Sequence, residues 1–236
     1  MARQQRAVPQ PVAVQAGPSD RKRVALTFDA DMTPEMRRRL ESGEVRTWYN
    51  EHVIDVLRQT GTPATLFLTG LWAQTYPQLA RSLGDDPLFE IANHSLEHKA
   101  FRPCYTLPVL REEDKFAAVH DSEQVIEQIT GKRPYYFRFP GGSINCAHQR
   151  DVALVAALGE QATDWTAAGD AYQPDPQAVL DSVMAHIRPG TIVALHMHGS
   201  HETPNAPATA EAIALLIPEL KSQGYELVTL GQLLKP

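Results

Sequence analysis

The sequence predicts an α/β fold whose parallel sheet curls into a barrel or near-barrel. Three observations predict it. Seven short apolar runs alternate with helical patterns, and strict alternation implies parallel strands joined by crossover helices. Polar residues able to do chemistry fall just after those runs, where α/β folds place their sites. No internal repeat and no Pro- or Gly-rich linker interrupts residues 21–236, so the alternation reads as one domain.

The expected strands, in order, are Val24–Phe28, Ala64–Leu68, Leu88–Ala92, Tyr135–Phe139, Gly159–Thr163, Ile192–Leu195 and Tyr225–Val228. Most are apolar or aromatic runs; Gly159–Thr163 rests on its place in the alternation. Between them, Val45, Trp48, Tyr49, His52, Val53, Val56 and Leu57 recur at helical spacing, with Gly61 as a stop. Phe116 to Ile129 marks a second helix, stopped at Gly131. Val152 to Leu158, Ala178 to Ile187 and Ala208 to Leu220 mark three more, and Pro218 would kink or confine the last. Phe101 to Glu113, with Pro103 and Pro108 and no period, reads as a substrate-facing loop.

Composition sets the outer bounds. The 236 residues suffice for a substantial core. At 43% hydrophobic and 21% charged, the content is that of a soluble globular protein. A net charge of −6 argues against nucleic acid or an anionic membrane surface as partner. No apolar run reaches membrane-span length, so membrane insertion is not expected. Residues 1–20 carry Pro9, Pro11, Pro18, Gly17 and four Gln, and read as a flexible lead-in before a single domain over 21–236. Cys104 and Cys146 permit one disulfide in an oxidising compartment; two reduced thiols are the alternative.

The most informative residues are His94 and His98, four apart and just beyond the third strand. On a helix that spacing puts two imidazoles on one face, within reach of one cation. Other polar residues gather at the same rim. Asp29 and Asp31 follow the first strand and Arg138 ends the fourth, with Pro140, Gly141 and Gly142 beyond it. Asp164 and Trp165 follow the fifth, and His196 ends the sixth. Two neutral imidazoles and one carboxylate suit Zn²⁺, with Co²⁺ or Mn²⁺ as alternatives, and leave a position for water. A second carboxylate can act as base and a further His as acid. His198 and His201 read as loop residues without a role.

Five motifs, in order over roughly residues 22–234, resemble the polysaccharide deacetylase family, the NodB-homology domain of carbohydrate esterase family 4. They are Val24-Ala-Leu-Thr-Phe-Asp-Ala-Asp31, His94-Ser-Leu-Glu-His98, Arg138-Phe-Pro-Gly-Gly142, Gln161-Ala-Thr-Asp-Trp165 and Gly190-Thr-Ile-Val-Ala-Leu-His196. The resemblance implies a distorted (β/α)₇ barrel that removes acetyl groups from N-acetylglucosamine units of a peptidoglycan or chitin-like glycan, releasing acetate. It implies a secreted or cell-envelope setting and one divalent metal ion. Asp29 would be the base and His196 the acid, with Arg138 orienting Asp29. Asp31, His94 and His98 would bind the metal. Trp165, Gly141, Pro140 and Asp164 would face the acetylated polysaccharide or oligosaccharide. An O-acetyl (acetylxylan-type) esterase and a glycan-binding module that lost the reaction are the alternatives.

Four residues depart from the family pattern. Ala30 separates carboxylates that are usually adjacent, though i and i+2 share a face of an extended strand. Gly141 stands where the family often has Tyr, keeping the backbone N–H of an oxyanion hole but losing a groove contact. Gln161 replaces the Asp that partners the Arg, and Ala194 a Leu of the acetyl pocket.

Overall fold

The computed structural model describes residues 10–170, 173–197 and 208–235; His198 and His201 lie outside them. Its strands are β1 (Arg23–Ala30), β2 (Ala64–Leu68), β3 (Phe89–Asn93), β4 (Tyr136–Phe137), β5 (Gln161–Ala162), β6 (Ala167–Ala168), β7 (Ile192–His196) and β8 (Glu226–Val228). They form one curled sheet in the order β5-β4-β3-β2-β1-β7-β6, with β8 on β1. Every ladder is parallel. All seven expected strands are present, two of them shortened to two residues. The two-residue β6 is additional, too short to leave a period in the sequence.

Strand β1 is the hub. Its first residues pair with β8 and its last with β2, while Ala25–Asp29 pairs with β7. Its side chains alternate, as an extended chain requires. Val24, Leu26, Phe28 and Ala30 join the main apolar cluster with helix residues such as Val53, Leu57, Ile213 and Leu216. Ala25 lies in a separate small cluster with Phe67, Ala92 and Ile192. Thr27 and Asp29 share its face of β1, so the inside of the curl is apolar low down and polar toward the strand ends.

The helices Lys115–Thr130, Gln149–Ala157, Pro176–Met184 and Ala208–Ser222 lie where expected, and Gly131 (φ 69°) ends the first of them. Pro218 sits inside the last. The helix expected from Val45 starts instead at Glu51 and runs to Gln59, because the Asn50 side chain accepts from the His52 N–H and caps it there. Ahead of it Trp48 lies in a turn, its indole donating to the Met36 carbonyl at 2.6 Å. Pro34–Glu41, Gly70–Thr75, Pro77–Asp85, Ser143–Cys146 and Leu230–Leu234 are further helices of nine residues or fewer, too brief to show periodicity.

The lead-in expected to be flexible over residues 1–20 is, from Val12 on, fastened to the sheet. Val14 bridges Thr163 and Ala16 bridges Thr191. The Val14 N–H donates to Ala162 O (2.9 Å), Asp164 N–H to Val14 O (2.8 Å), and Gly17 N–H to Gly190 O (2.8 Å). The exposed backbone groups of a sheet edge are what such a strap satisfies. Gly190 (φ 88°) permits the close approach, since a Cβ there would collide with Gly17 O. Cys104 and Cys146 are joined as a disulfide. Among the described residues, no helix is long and apolar enough to cross a membrane.

Candidate functional site

The rim of the curl gathers the chemistry. Asp29 on β1 is the register partner of His196 on β7 and of Phe67 on β2. Asp31 follows one residue beyond the strand end. His94 directly follows β3. His98 does not lie on a helix with it, as the spacing suggested; the segment is a loop in which Ser95 (φ 69°) and His98 (φ 55°) take left-handed backbone. The loop folds back so that the two rings stand 5.0 Å apart. Asn93 helps to hold it: its Oδ1 accepts from Ser95 N–H, and its Nδ2 donates to Glu160 Oε1 (2.9 Å) and Val119 O.

Three side chains converge. His94 Nε2 lies 3.3 Å and His98 Nε2 3.4 Å from Asp31 Oδ1. Ligand atoms from Asp31, His94 and His98 all fall within 4.8 Å of one another, and all three residues are buried. The second nitrogen of His94 fixes its role, since Nδ1 meets Arg138 O at 2.9 Å and so carries the proton. That leaves the Nε2 lone pair directed at Asp31, the arrangement a metal-ligating imidazole needs. A buried set of two imidazoles and a carboxylate, with the His94 tautomer fixed, fits a divalent ion such as Zn²⁺.

Electrostatics agree with the geometry. Burial alone would raise the Asp31 carboxyl, but His98 and then His94 hold it well below its ordinary value. Burial would depress His94; the charge of Asp29, and the hydrogen bond that the Asp31 carboxylate accepts from the protonated ring, raise it instead.

Asp29 stands beside this cluster, its Oδ2 3.7 Å from His94 Nε2. Its Oδ1 accepts from Arg138 Nη1 at 2.6 Å. The Arg138 guanidinium is wholly buried, lies 4.1 Å from the Phe67 ring centre, and donates from Nη2 to Thr27 Oγ1 at 2.8 Å. Thr27 was missed in the sequence; the signal was its place two residues before Asp29 on the same strand face. Gln161, at the position of the family's Arg-partnering Asp, instead donates to Val12 O on the strap.

His196 is held from below by Asp170, also missed. Asp170 Oδ1 meets His196 Nδ1 at 3.0 Å, and Oδ2 accepts from the His196 backbone N–H (2.6 Å) and the Thr209 hydroxyl (2.9 Å). Burial works against the His196 cation, but Asp170, with Asp31 and Asp29 behind it, outweighs burial and raises the imidazole to about 10. Asp170 sits two residues past β6, so it joins the rim only once that strand is known.

These groups line a pocket of about 360 Å³ with Trp165, Ala168, Ala194, Gly141 and the loop residues Tyr105, Thr106 and Leu107. Of the residues expected to face substrate, Trp165 and Gly141 are in this lining. Pro140 is buried and outside it. The Asp164 carboxylate turns away to Ser143, accepting from its backbone N–H (2.9 Å) and hydroxyl (2.5 Å).

Comparison with known proteins places the chain in a family. The chain is 29% identical over 221 residues to a peptidoglycan-N-acetylglucosamine deacetylase of Bacillus cereus, covering 92% of this chain and 91% of the relative. It is 28% identical over 228 residues to a chitooligosaccharide deacetylase of Bradyrhizobium, covering 91% and 92%. In fold it is similar to a family 4 carbohydrate esterase pseudoenzyme of Bacillus anthracis, with a TM-score of 0.76 at 24% identity, covering 95% of this chain and 69% of that one. The family model "Polysaccharide deacetylase" matches residues 16–159. The chain belongs to the polysaccharide deacetylase family.

Proposed function

We propose that the protein is a metal-dependent hydrolase that removes acetyl groups from N-acetylglucosamine units of a peptidoglycan or chitin-like glycan. The observation that carries this reading is the pairing of a buried Asp31–His94–His98 cluster with Asp29 and His196, register partners on adjacent strands. Asp31, His94 and His98 would hold one divalent ion, Zn²⁺ by the chemistry of the donor set. When bound, such an ion supplies Lewis acidity to the acetyl carbonyl and to water.

The side chains do the rest. Asp29, aimed by Arg138, takes a proton from the attacking water. The Gly141 backbone N–H is the oxyanion donor, and Trp165, Ala168 and Ala194 wall the acetyl methyl. His196, held as imidazolium by Asp170, gives its proton to the leaving nitrogen. Water and amide are consumed; acetate and a free amino sugar result. That the substrate is an external glycan carries a secreted or envelope-associated setting, which the Cys104–Cys146 disulfide supports.

The test is acetate release from N-acetylated and O-acetylated polymers, with and without chelator. Chelator-sensitive release from the N-acetylated glycan is expected. Release only from the O-acetylated polymer would make the protein an esterase, and none from either, with metal bound, a binding module.

A further inference from the structure

Beside the reacting groups stands a wall built from two distant segments. The Cys104–Cys146 disulfide ties the loop after Phe101 to the short helix Ser143–Cys146. Arg102 adds two bonds across the same seam, from Nη2 to Ile144 O (2.6 Å) and from Nε to Asn145 O (2.7 Å). The Phe101 and Arg102 backbone N–H groups both donate to Cys146 O at 2.9 Å.

This wall presents Tyr105. The residue lines the mouth of the pocket yet is 71% exposed, and it takes a left-handed backbone (φ 45°) unfavourable for a bulky side chain. Its hydroxyl is held by Asn145 Nδ2 at 2.7 Å, so the ring is fixed in solvent rather than packed away. Gly141 explains why the ring is supplied from there. A Cβ at 141 would run into Cys146 Sγ and stand 3.3 Å from Tyr105 Cδ2. The disulfide and the Tyr105 loop occupy the space into which a side chain on the oxyanion residue would grow.

We propose that Tyr105 is a sugar-stacking residue, which binds the pyranose ring next to the one that loses its acetyl group. The inference rests on the proposed glycan deacetylase function. A pyranose offers an apolar face of C–H bonds, and a fixed, exposed aromatic ring is the surface that recognises it. The one-sided attachment of the ring to a cross-linked wall means that little freedom is lost when sugar docks. Tyr105 thereby selects chains over single sugars.

The experiment separates binding from turnover. Glucosamine hexamer, which has no acetyl group to lose, is titrated calorimetrically into the metal-loaded wild type, Tyr105→Ala, Tyr105→Phe and Tyr105→Trp. Tyr105→Ala should weaken binding about tenfold, and Phe and Trp less than threefold. With N-acetylglucosamine hexamer as substrate, Tyr105→Ala should raise KM about tenfold and lower kcat less than twofold. Unchanged hexamer affinity in Tyr105→Ala would overturn the proposal, as would an equal loss in Tyr105→Phe, or a fall in kcat at constant KM. If the wild type bound the glucosamine hexamer in a Tyr105-dependent way but released no acetate from the N-acetylglucosamine hexamer, the deacetylase reading would fail and the stacking role would stand.

Discussion

Asp170 grips His196 at both ends, with one carboxylate oxygen on the ring Nδ1 and the other on the backbone N–H of the same residue. The strand end and the imidazole are thereby fixed together. The imidazole proposed as the acid is oriented by one side chain, which also favours its protonated form.

That arrangement predicts a pH effect with a definite sign. The Asp170 charge favours the imidazolium, so removing it lowers the His196 pKa. In the rate–pH profile His196 must be protonated, hence its titration is the alkaline limb. Asp170→Asn should move that limb down by about one pH unit or more, with the acid limb unmoved. An alkaline limb left in place would show that another group is the acid.

The split carboxylates predict a division of labour. Asp31 lies within 3.4 Å of both imidazoles, whereas Asp29 is tied to Arg138. Asp31→Ala should abolish stoichiometric metal binding. Asp29→Asn should keep the metal and lower kcat about a thousandfold or more. Elemental analysis of both variants, with acetate release, decides between this and the reverse assignment.

Ion uptake should release protons. His94 is raised above its ordinary value, mainly by Asp29 and Asp31 against the opposing effect of burial, and a ligating imidazole must be neutral. Zinc affinity should therefore fall as the pH is lowered. Calorimetry in buffers of different ionisation enthalpy would count the protons.

Glu160 makes a separate prediction about stability. Burial above all, with the charge of Glu123 adding to it, pushes its carboxyl up to about 8. The folded state then holds a proton that the unfolded state has lost above about pH 4.5, so stability falls as pH rises from there to about 8. Glu160→Gln removes that slope, and at pH 8 it should stabilise by at most about 5 kcal/mol. Thermal melts across this range would show a flatter dependence in the variant; an unchanged slope would mean that Glu160 does not titrate there.

Removing the strap should cost stability as well. Deleting residues 1–17 breaks the Val14 and Gly17 hydrogen bonds to the sheet. At about 1 kcal/mol each, the loss is on the order of 3 kcal/mol, or roughly 6–12 °C in Tm. Differential scanning calorimetry checks it.

The sequence was most legible where local pattern and fold agree. The apolar runs of β1, β2, β3 and β7 are buried and mark themselves, and with them came Asp29, Asp31, His94 and His196. What escaped was non-local. Asp170 depends on the two-residue β6, and Thr27 acts only because Arg138 reaches across the sheet from another strand. The His94–His98 pair was found on helical spacing, although left-handed residues in a loop do the work. The lead-in as a whole is polar and Pro-rich, and the strap within it, Val12-Ala-Val-Gln-Ala-Gly17, is too short to show a period of its own; its Val14 and Gly17 bonds to the sheet are between backbone groups, which side-chain pattern does not record.

That strap also gives the molecule a mechanical line from Val12 to its site. Val14 O accepts from the backbone N–H of Asp164, the neighbour of the pocket residue Trp165. Tension applied upstream of Val12, as by tethering that end to a surface, would load this bond before most of the sheet. Under such a tether the Trp165 wall would be the part of the pocket nearest to the loaded bond.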